Sequence, residues 1–141
     1  ALGHKRFFIK TSILSQGTIN IIAEMKARNI NRFICITALG IGDSRFKLGL
    51  YYTLFVEPFI LYFYFRDKEK QERIIRKSGL NWTIVRPGQL LNAKGRKAYK
   101  TGKNLGHYIL TKMIARADVA HFILRILRRN KYSKEVVAIT N

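Results

Sequence analysis

Three short apolar runs constrain this chain more than any other feature: "RFICIT" (32–37), "WTIVRP" (82–87) and "EVVAIT" (135–140). Each is continuous rather than alternating, as expected of a strand covered on both faces of a parallel sheet. Each also follows a stretch with helical periodicity. In "SQGTINIIAEMKARN" (15–29), Ile19, Ile22 and Met25 return at helical spacing, with Ser15 as N-cap and Asn29 as closing residue. A second helix is expected from Pro58, suited to a first turn, to Lys77, with Ser78 and Gly79 ending it. Its i,i+4 pairs Lys68–Glu72 and Glu72–Arg76 mark a solvent-facing side. "ADVAHFILRILRRN" (117–130) predicts a third helix with a stripe of Val119, Phe122, Ile123, Ile126 and Leu127. Asp118 at its start and Arg128 and Arg129 at its end complement the helix dipole.

Helix and strand alternating three times is the pattern of a parallel sheet with helices on its faces. The strands near Phe33–Thr37, Trp82–Arg86 and Val136–Thr140 should be mutually parallel. Ligands of such sheets sit beyond the carboxyl ends of the strands. The loops to watch therefore begin at Thr37 and Arg86. "ALGIGDSR" carries Gly40 and Gly42 directly after a strand, where glycine lets the backbone turn sharply or approach a ligand. Residues 89–115 are mixed, basic and glycine-containing, with room for one short strand.

The chain's 141 residues suit a single domain, 1–141. The 27 Lys plus Arg against 8 Asp plus Glu give a net charge of +19, which invites a polyanion. The basic residues are spread from Lys5 to Lys134 and form no single arm. No zinc-finger or RNA-binding signature accompanies them, so nucleic acid is not the expected partner. His4, His107 and His121 lack metal-ligand spacing, and no metal site is expected. The single Cys35 lies inside an apolar run and reads as a buried strand residue in a reducing, cytoplasmic compartment. "ALGHKRFFIK" has too short an apolar core for a secretory signal. The segment from Leu48 to Phe65 is interrupted by Glu57 and Pro58 and falls short of a span. Its Leu54, Phe55, Phe59, Ile60 and Phe63 are expected to be buried, and a membrane is not the expected partner.

"GTINIIAEMKARNINRFICITALGIGDSR", "DKEKQERIIRKSGLNWTIVRPG" and "ARADVAHFIL", in that order, resemble the atypical short-chain dehydrogenase/reductases. The nearest group is the NAD(P)H-binding proteins related to NmrA and biliverdin reductase B. The resemblance implies a partial Rossmann-type parallel sheet, the C-terminal two-thirds of an NAD(P)-binding domain. It also implies NAD or NADP as cofactor. By resemblance, the cofactor would be lined by Gly3, Thr37, Ala38, Leu39, Lys68, Pro87 and Gly88. Lys68 takes the place of the lysine that holds the nicotinamide ribose. Tyr64, four residues earlier in "YFRDK", takes the place of the family's tyrosine acid. A nearby ammonium would lower the phenol's pKa and fit it for proton transfer. Tyr64, Lys68 and Thr37 are thus the catalytic candidates.

Two departures bear on activity. The family's serine maps onto Ala38, which offers no hydrogen bond, with Thr37 adjacent but facing the other way on a strand. The G-x-x-G-x-x-G turn that seats the pyrophosphate is not in these residues. The chain then reads as part of a longer protein or as a shortened relative whose bare sheet edge favours self-association. Three functions follow: an oxidoreductase of unassigned small-molecule substrate, a non-catalytic NmrA-like dinucleotide-binding or regulatory protein, and a basic protein binding nucleic acid or a membrane surface. The basic loop "AKGRKAYKTGK" (93–103) matches the family's variable substrate loop, and its charges read first as solvated.

Overall fold

The structure is a computed structural model that describes residues 12–48, 54, 62–103, 105–106 and 112–141. The elements are α1 (Ile13–Ala27), β1 (Arg32–Ile36), a 3-10 turn (Gly42–Leu48), α2 (Tyr62–Lys77), β2 (Asn81–Pro87), β3 (Gln89–Leu91), β4 (Lys100–Gly102), β5 (Met113–Ala115), α3 (Arg116–Arg129) and β6 (Glu135–Thr140). The main sheet runs β1-β2-β6-β4. β1 and β2 are parallel, with Phe33 opposite Trp82, and β2 and β6 are parallel, with Val85 opposite Val137. The three apolar runs therefore form the parallel sheet expected of them. Residues 89–115 hold more than the single strand expected. β4 closes one edge antiparallel to β6, and β3 and β5 form a separate parallel pair.

Strand alternation divides the core. Trp82 and Ile84 of β2, with Phe33 and Cys35 of β1, meet Ile22 of α1 and Ile75 of α2. Val85, Val137 and Ile139 turn the other way, toward Val119, Phe122 and Ile126 of α3. Helices thus cover both faces, as the period of two requires.

The helix ends correct several expectations. Ser15 is not the N-cap of α1; Ser12 is, and its side chain makes no capping bond. The cap comes from a distance: Asp67 of α2 accepts the backbone N–H groups of Leu14 (2.9 Å) and Ser15 (3.3 Å). A carboxylate at a helix N-terminus satisfies orphan donors and opposes the dipole. α1 buries Leu14, Thr18 and Ile22, while Ile19 is exposed. Asn29 stands at φ 56° just beyond α1 and ends it as expected. α3 ends in the same way at Asn130, φ 46°. Its stripe is narrower than predicted, because Leu127 is exposed. Pro58 lies outside the described residues, as do Phe55, Phe59 and Ile60. Leu54 and Phe63, expected to be buried, are 51% and 38% exposed. No helix among the described residues is long and apolar enough to cross a membrane. None of their His, Cys, Asp and Glu side chains gather into a metal-binding cluster.

Candidate functional site

The carboxyl ends of β1 and β2 stay strapped together past the last residue of β1. The Thr37 N–H donates to the Val85 carbonyl and the Leu39 N–H to the Pro87 carbonyl, each at 2.9 Å. "TALG" therefore runs beside "VRPG". Gly88 follows, buried, with its N–H on the Ile139 carbonyl at 3.0 Å. A Cβ there would lie 2.4 Å from the Lys112 carbonyl oxygen, so only glycine lets these two backbones cross.

α2 delivers Lys68 to this place. The side chain is 6% exposed, and its Nζ donates to the Thr37 carbonyl at 3.1 Å. That is a tertiary contact across thirty-one residues. It corrects the reading of Lys68 and Glu72 as a solvent-facing pair, since both are buried. Burial holds the Lys68 pKa below its ordinary value, and the negative charge of Glu72 and Asp67 only partly opposes this.

Tyr64 lies one turn earlier and is half-buried. It packs with Ala38 and Leu105 against Leu39, Ile41, Phe65 and Ala138. The Lys68 ammonium stands over its ring face, 5.0 Å from the ring centre. The expected direction of the phenol's pKa is reversed: burial pushes it up. Thr37 is buried, and its hydroxyl donates to Glu72 Oε1 at 2.7 Å. Ala38 presents only its methyl group. The structure thus brings Thr37, Ala38, Leu39, Tyr64, Lys68, Pro87 and Gly88 to one end of the sheet, while Gly3 lies outside the described residues.

Sequence reasoning missed the charged layer beneath. Arg86, 3% exposed, forks onto Glu72 through Nε–Oε1 at 3.0 Å and Nη2–Oε2 at 2.7 Å. Its Nη1 reaches Asp43 at 2.5 Å and Ser44 Oγ at 3.4 Å. Ser44 Oγ in turn accepts the Gly40 N–H and donates to the Ile41 carbonyl. One guanidinium so ties α2 and the Gly40–Ser44 loop to β2. For Asp43, burial works against ionisation, but Arg86 outweighs it and holds the carboxyl below its ordinary value. The available signal was Arg86 itself, a charge inside an otherwise apolar central strand, which requires a buried partner. Cys35 lies in β1 as read but is only partly buried; burial still pushes its thiol up to about 11, so it is no thiolate at neutral pH.

Asp118 was also assigned too local a role. Its carboxylate accepts the backbone N–H groups of Arg96 (3.2 Å) and Lys97 (2.8 Å). It thereby pins the basic loop, whose Lys94, Arg96, Lys97 and Lys100 are exposed and whose exposed Lys103 pairs with Glu135 at 3.6 Å.

A buried ammonium has three donors. The hydrogen bond it makes among the described residues goes to Thr37. Such a group at the carboxyl end of a parallel strand fits a sugar hydroxyl of a dinucleotide. No glycine-rich phosphate turn occurs among the described residues, so the fit concerns the nicotinamide end alone.

A family model described as NAD(P)H-binding matches residues 1–130. The fold is that of a Rossmann-like α/β protein, and the chain belongs to that NAD(P)H-binding family. UPF0659 protein C216.03 of Schizosaccharomyces pombe is 27% identical over 135 residues, covering 89% of this chain and 53% of that protein. Among solved structures, ChuY of Escherichia coli CFT073 is 26% identical with a TM-score of 0.74, covering 91% of this chain and 61% of that one. A short-chain dehydrogenase/reductase of Veillonella parvula, in complex with NADP, shares the fold at 17% identity and a TM-score of 0.75, covering 90% and 58%. The chain spans about half the length of the curated relative from Schizosaccharomyces pombe.

Proposed function

We propose that this chain carries the nicotinamide end of an NAD(P)H-dependent oxidoreductase, with Lys68 holding the cofactor's ribose. The observation that carries the reading is the burial of the Lys68 ammonium on the Thr37 carbonyl at the carboxyl end of β1. Burying an ammonium costs stability. Perturbed charges beyond strand ends are where cofactor and substrate contacts collect. A cytoplasmic setting belongs to the same reading, in keeping with a single unpaired cysteine.

When bound, the reduced nicotinamide would supply a hydride. The chain's own residues would do the rest. The Thr37 carbonyl orients the ammonium, and the ammonium donates to the ribose. Leu39, Pro87 and Gly88 wall the site. The Tyr64 phenol is protonated at neutral pH, as any tyrosine is, and burial pushes its pKa further up; a protonated phenol is the state needed to donate to a substrate oxygen.

One observation favours a second reading, a non-catalytic dinucleotide-binding protein. The Thr37 hydroxyl is taken by Glu72 and Ala38 has none to offer, so no described residue stands in for the family's serine.

NADPH titration of the full-length protein by fluorescence tests both readings. Lys68→Ala should weaken binding about tenfold or more, the loss of one charge-assisted hydrogen bond of roughly 1.5–3 kcal/mol. Undiminished affinity would sink the proposal. Tyr64→Phe should leave affinity intact and lower NADPH oxidation across a panel of carbonyl acceptors. Equal oxidation by parent and variant would favour the non-catalytic reading.

A further inference from the structure

Glu72 has no part in the proposed chemistry itself, yet it is 3% exposed and holds Thr37, whose carbonyl receives the Lys68 ammonium. Its Oε1 accepts from the Thr37 hydroxyl at 2.7 Å and from Arg86 Nε at 3.0 Å. Its Oε2 takes Arg86 Nη2 at 2.7 Å and a longer contact from Arg76 Nη2 at 3.6 Å. Thr37 faces two ways. Its hydroxyl is bound by Glu72, and its carbonyl is the acceptor of the Lys68 ammonium. Four groups thus form one path from β2 through α2 to the end of β1 and back to α2.

We propose that Glu72 is a positioning residue for Lys68: the Arg86 fork fixes the carboxylate, the carboxylate fixes Thr37, and the Thr37 carbonyl fixes the ammonium. This rests on the reading of Lys68 as the cofactor contact. A carboxylate held by two guanidinium nitrogens cannot rotate without breaking a bidentate pair. The residue it holds sits just past β1, where only the Val85 carbonyl pins its N–H. Without the side-chain bond, Thr37 itself would be held only through its backbone N–H, with the next strap at Leu39 on the Pro87 carbonyl. Glu72 also acts through charge. The groups facing Lys68 are Cys35 from β1, the Tyr64 ring, and Glu72 and Asp67 from α2. The Glu72 carboxylate, itself paired with Arg86 of β2, favours the protonated amine.

The test is a double-mutant cycle read as NADPH dissociation constants. Glu72→Gln keeps the shape and removes the charge. Thr37→Val keeps the Glu72–Arg86 pair and the Thr37 backbone, and removes only the linking hydroxyl. Each should weaken NADPH binding about three- to tenfold in the parent and change it less than about twofold in a Lys68→Ala background, because groups acting through one residue are not additive. Glu72→Gln should also move the alkaline limb of NADPH binding to lower pH, while Thr37→Val should leave that limb in place. A purely structural Glu72 would lower the melting temperature and give equal losses in both backgrounds, and that result would overturn the inference. So would unchanged affinity in both variants. If Glu72→Gln does not fold, Thr37→Val alone completes the cycle. Lys68→Ala binding as tightly as the parent is a separate outcome: it would overturn the cofactor reading itself.

Discussion

On the α3 side of β2, Val85 meets Val119, Phe122 and Ile126, all but fully buried and all apolar. On the α2 side, the next residue, Arg86, meets Glu72, Asp43 and Ser44. Adjacent positions of one strand thus face a dry core and a buried charge network. The dry side needs only volume and shape, and its contribution follows from area removed from water. The charged side needs geometry. A buried ion pair is weak evidence for stability, because desolvation offsets most of the attraction, but breaking one half of it leaves an uncompensated charge. The α3 side of β2 is thus a packing face alone, while the α2 side adds the candidate site to an apolar cluster of its own, built on Ile22, Ile75, Trp82 and Ile84.

The largest expected effect comes from breaking the charged side. Arg86→Met should cost about 3–5 kcal/mol in denaturant unfolding, because Glu72 would remain buried without its partner. Adding Glu72→Leu to Arg86→Met should recover most of that loss. A cost below about 1 kcal/mol for Arg86→Met would mean that the network is solvated, and the comparison would fail. The dry side should respond more gently and without consequence for the cofactor. Ile126→Val should cost about 0.5–1.5 kcal/mol and leave NADPH affinity unchanged.

The sequence made the dry side legible and left the charged side largely hidden. "RFICIT", "WTIVRP" and "EVVAIT" announced parallel strands because a doubly covered strand is apolar along its whole length. Val119, Phe122 and Ile126 announced the α3 face through helical period. The charged side misled because i,i+4 pairing is a local rule: Glu72 keeps a longer contact with Arg76 of its own helix at 3.6 Å, but its short bidentate partner, Arg86, comes from β2. Asp118 was read too locally in the same way, and Asp67 gave no local sign of its role. Each caps backbone far from its own helix turn, and nothing in local spacing reveals the recipient. Ser15 looked like a cap and was displaced because Asp67 supplied a better one. Between 89 and 115 the strands are three residues long, too short for a period to show. For the site, resemblance found Lys68, but the direction of the Tyr64 pKa depended on where the ammonium stands relative to the ring. Only the three-dimensional arrangement fixes that.

A smaller effect should come from the rim of the network. The Asp43 side chain is 77% exposed, so Asp43→Asn should cost at most about 1 kcal/mol at neutral pH. The sign of its pH dependence is set by a folded pKa below the unfolded one. The stabilisation is present above the unfolded carboxyl pKa and is lost as pH falls through the folded value. Parent and variant should therefore converge in melting temperature in acid.

Lys68→Met tests the central claim most directly, through melting temperature and NADPH affinity measured on the same sample. Burial lowers the Lys68 pKa in the folded state, so the folded protein binds this proton more weakly than the unfolded chain does. The ammonium therefore subtracts from stability at neutral pH, and the parent gains stability as pH rises from the folded toward the unfolded pKa. Lys68→Met should melt no lower than the parent at pH 7, and its advantage should shrink in alkali. The same variant should bind NADPH about tenfold more weakly. A variant that melts well below the parent and binds NADPH as tightly would show that Lys68 serves the fold and not the cofactor.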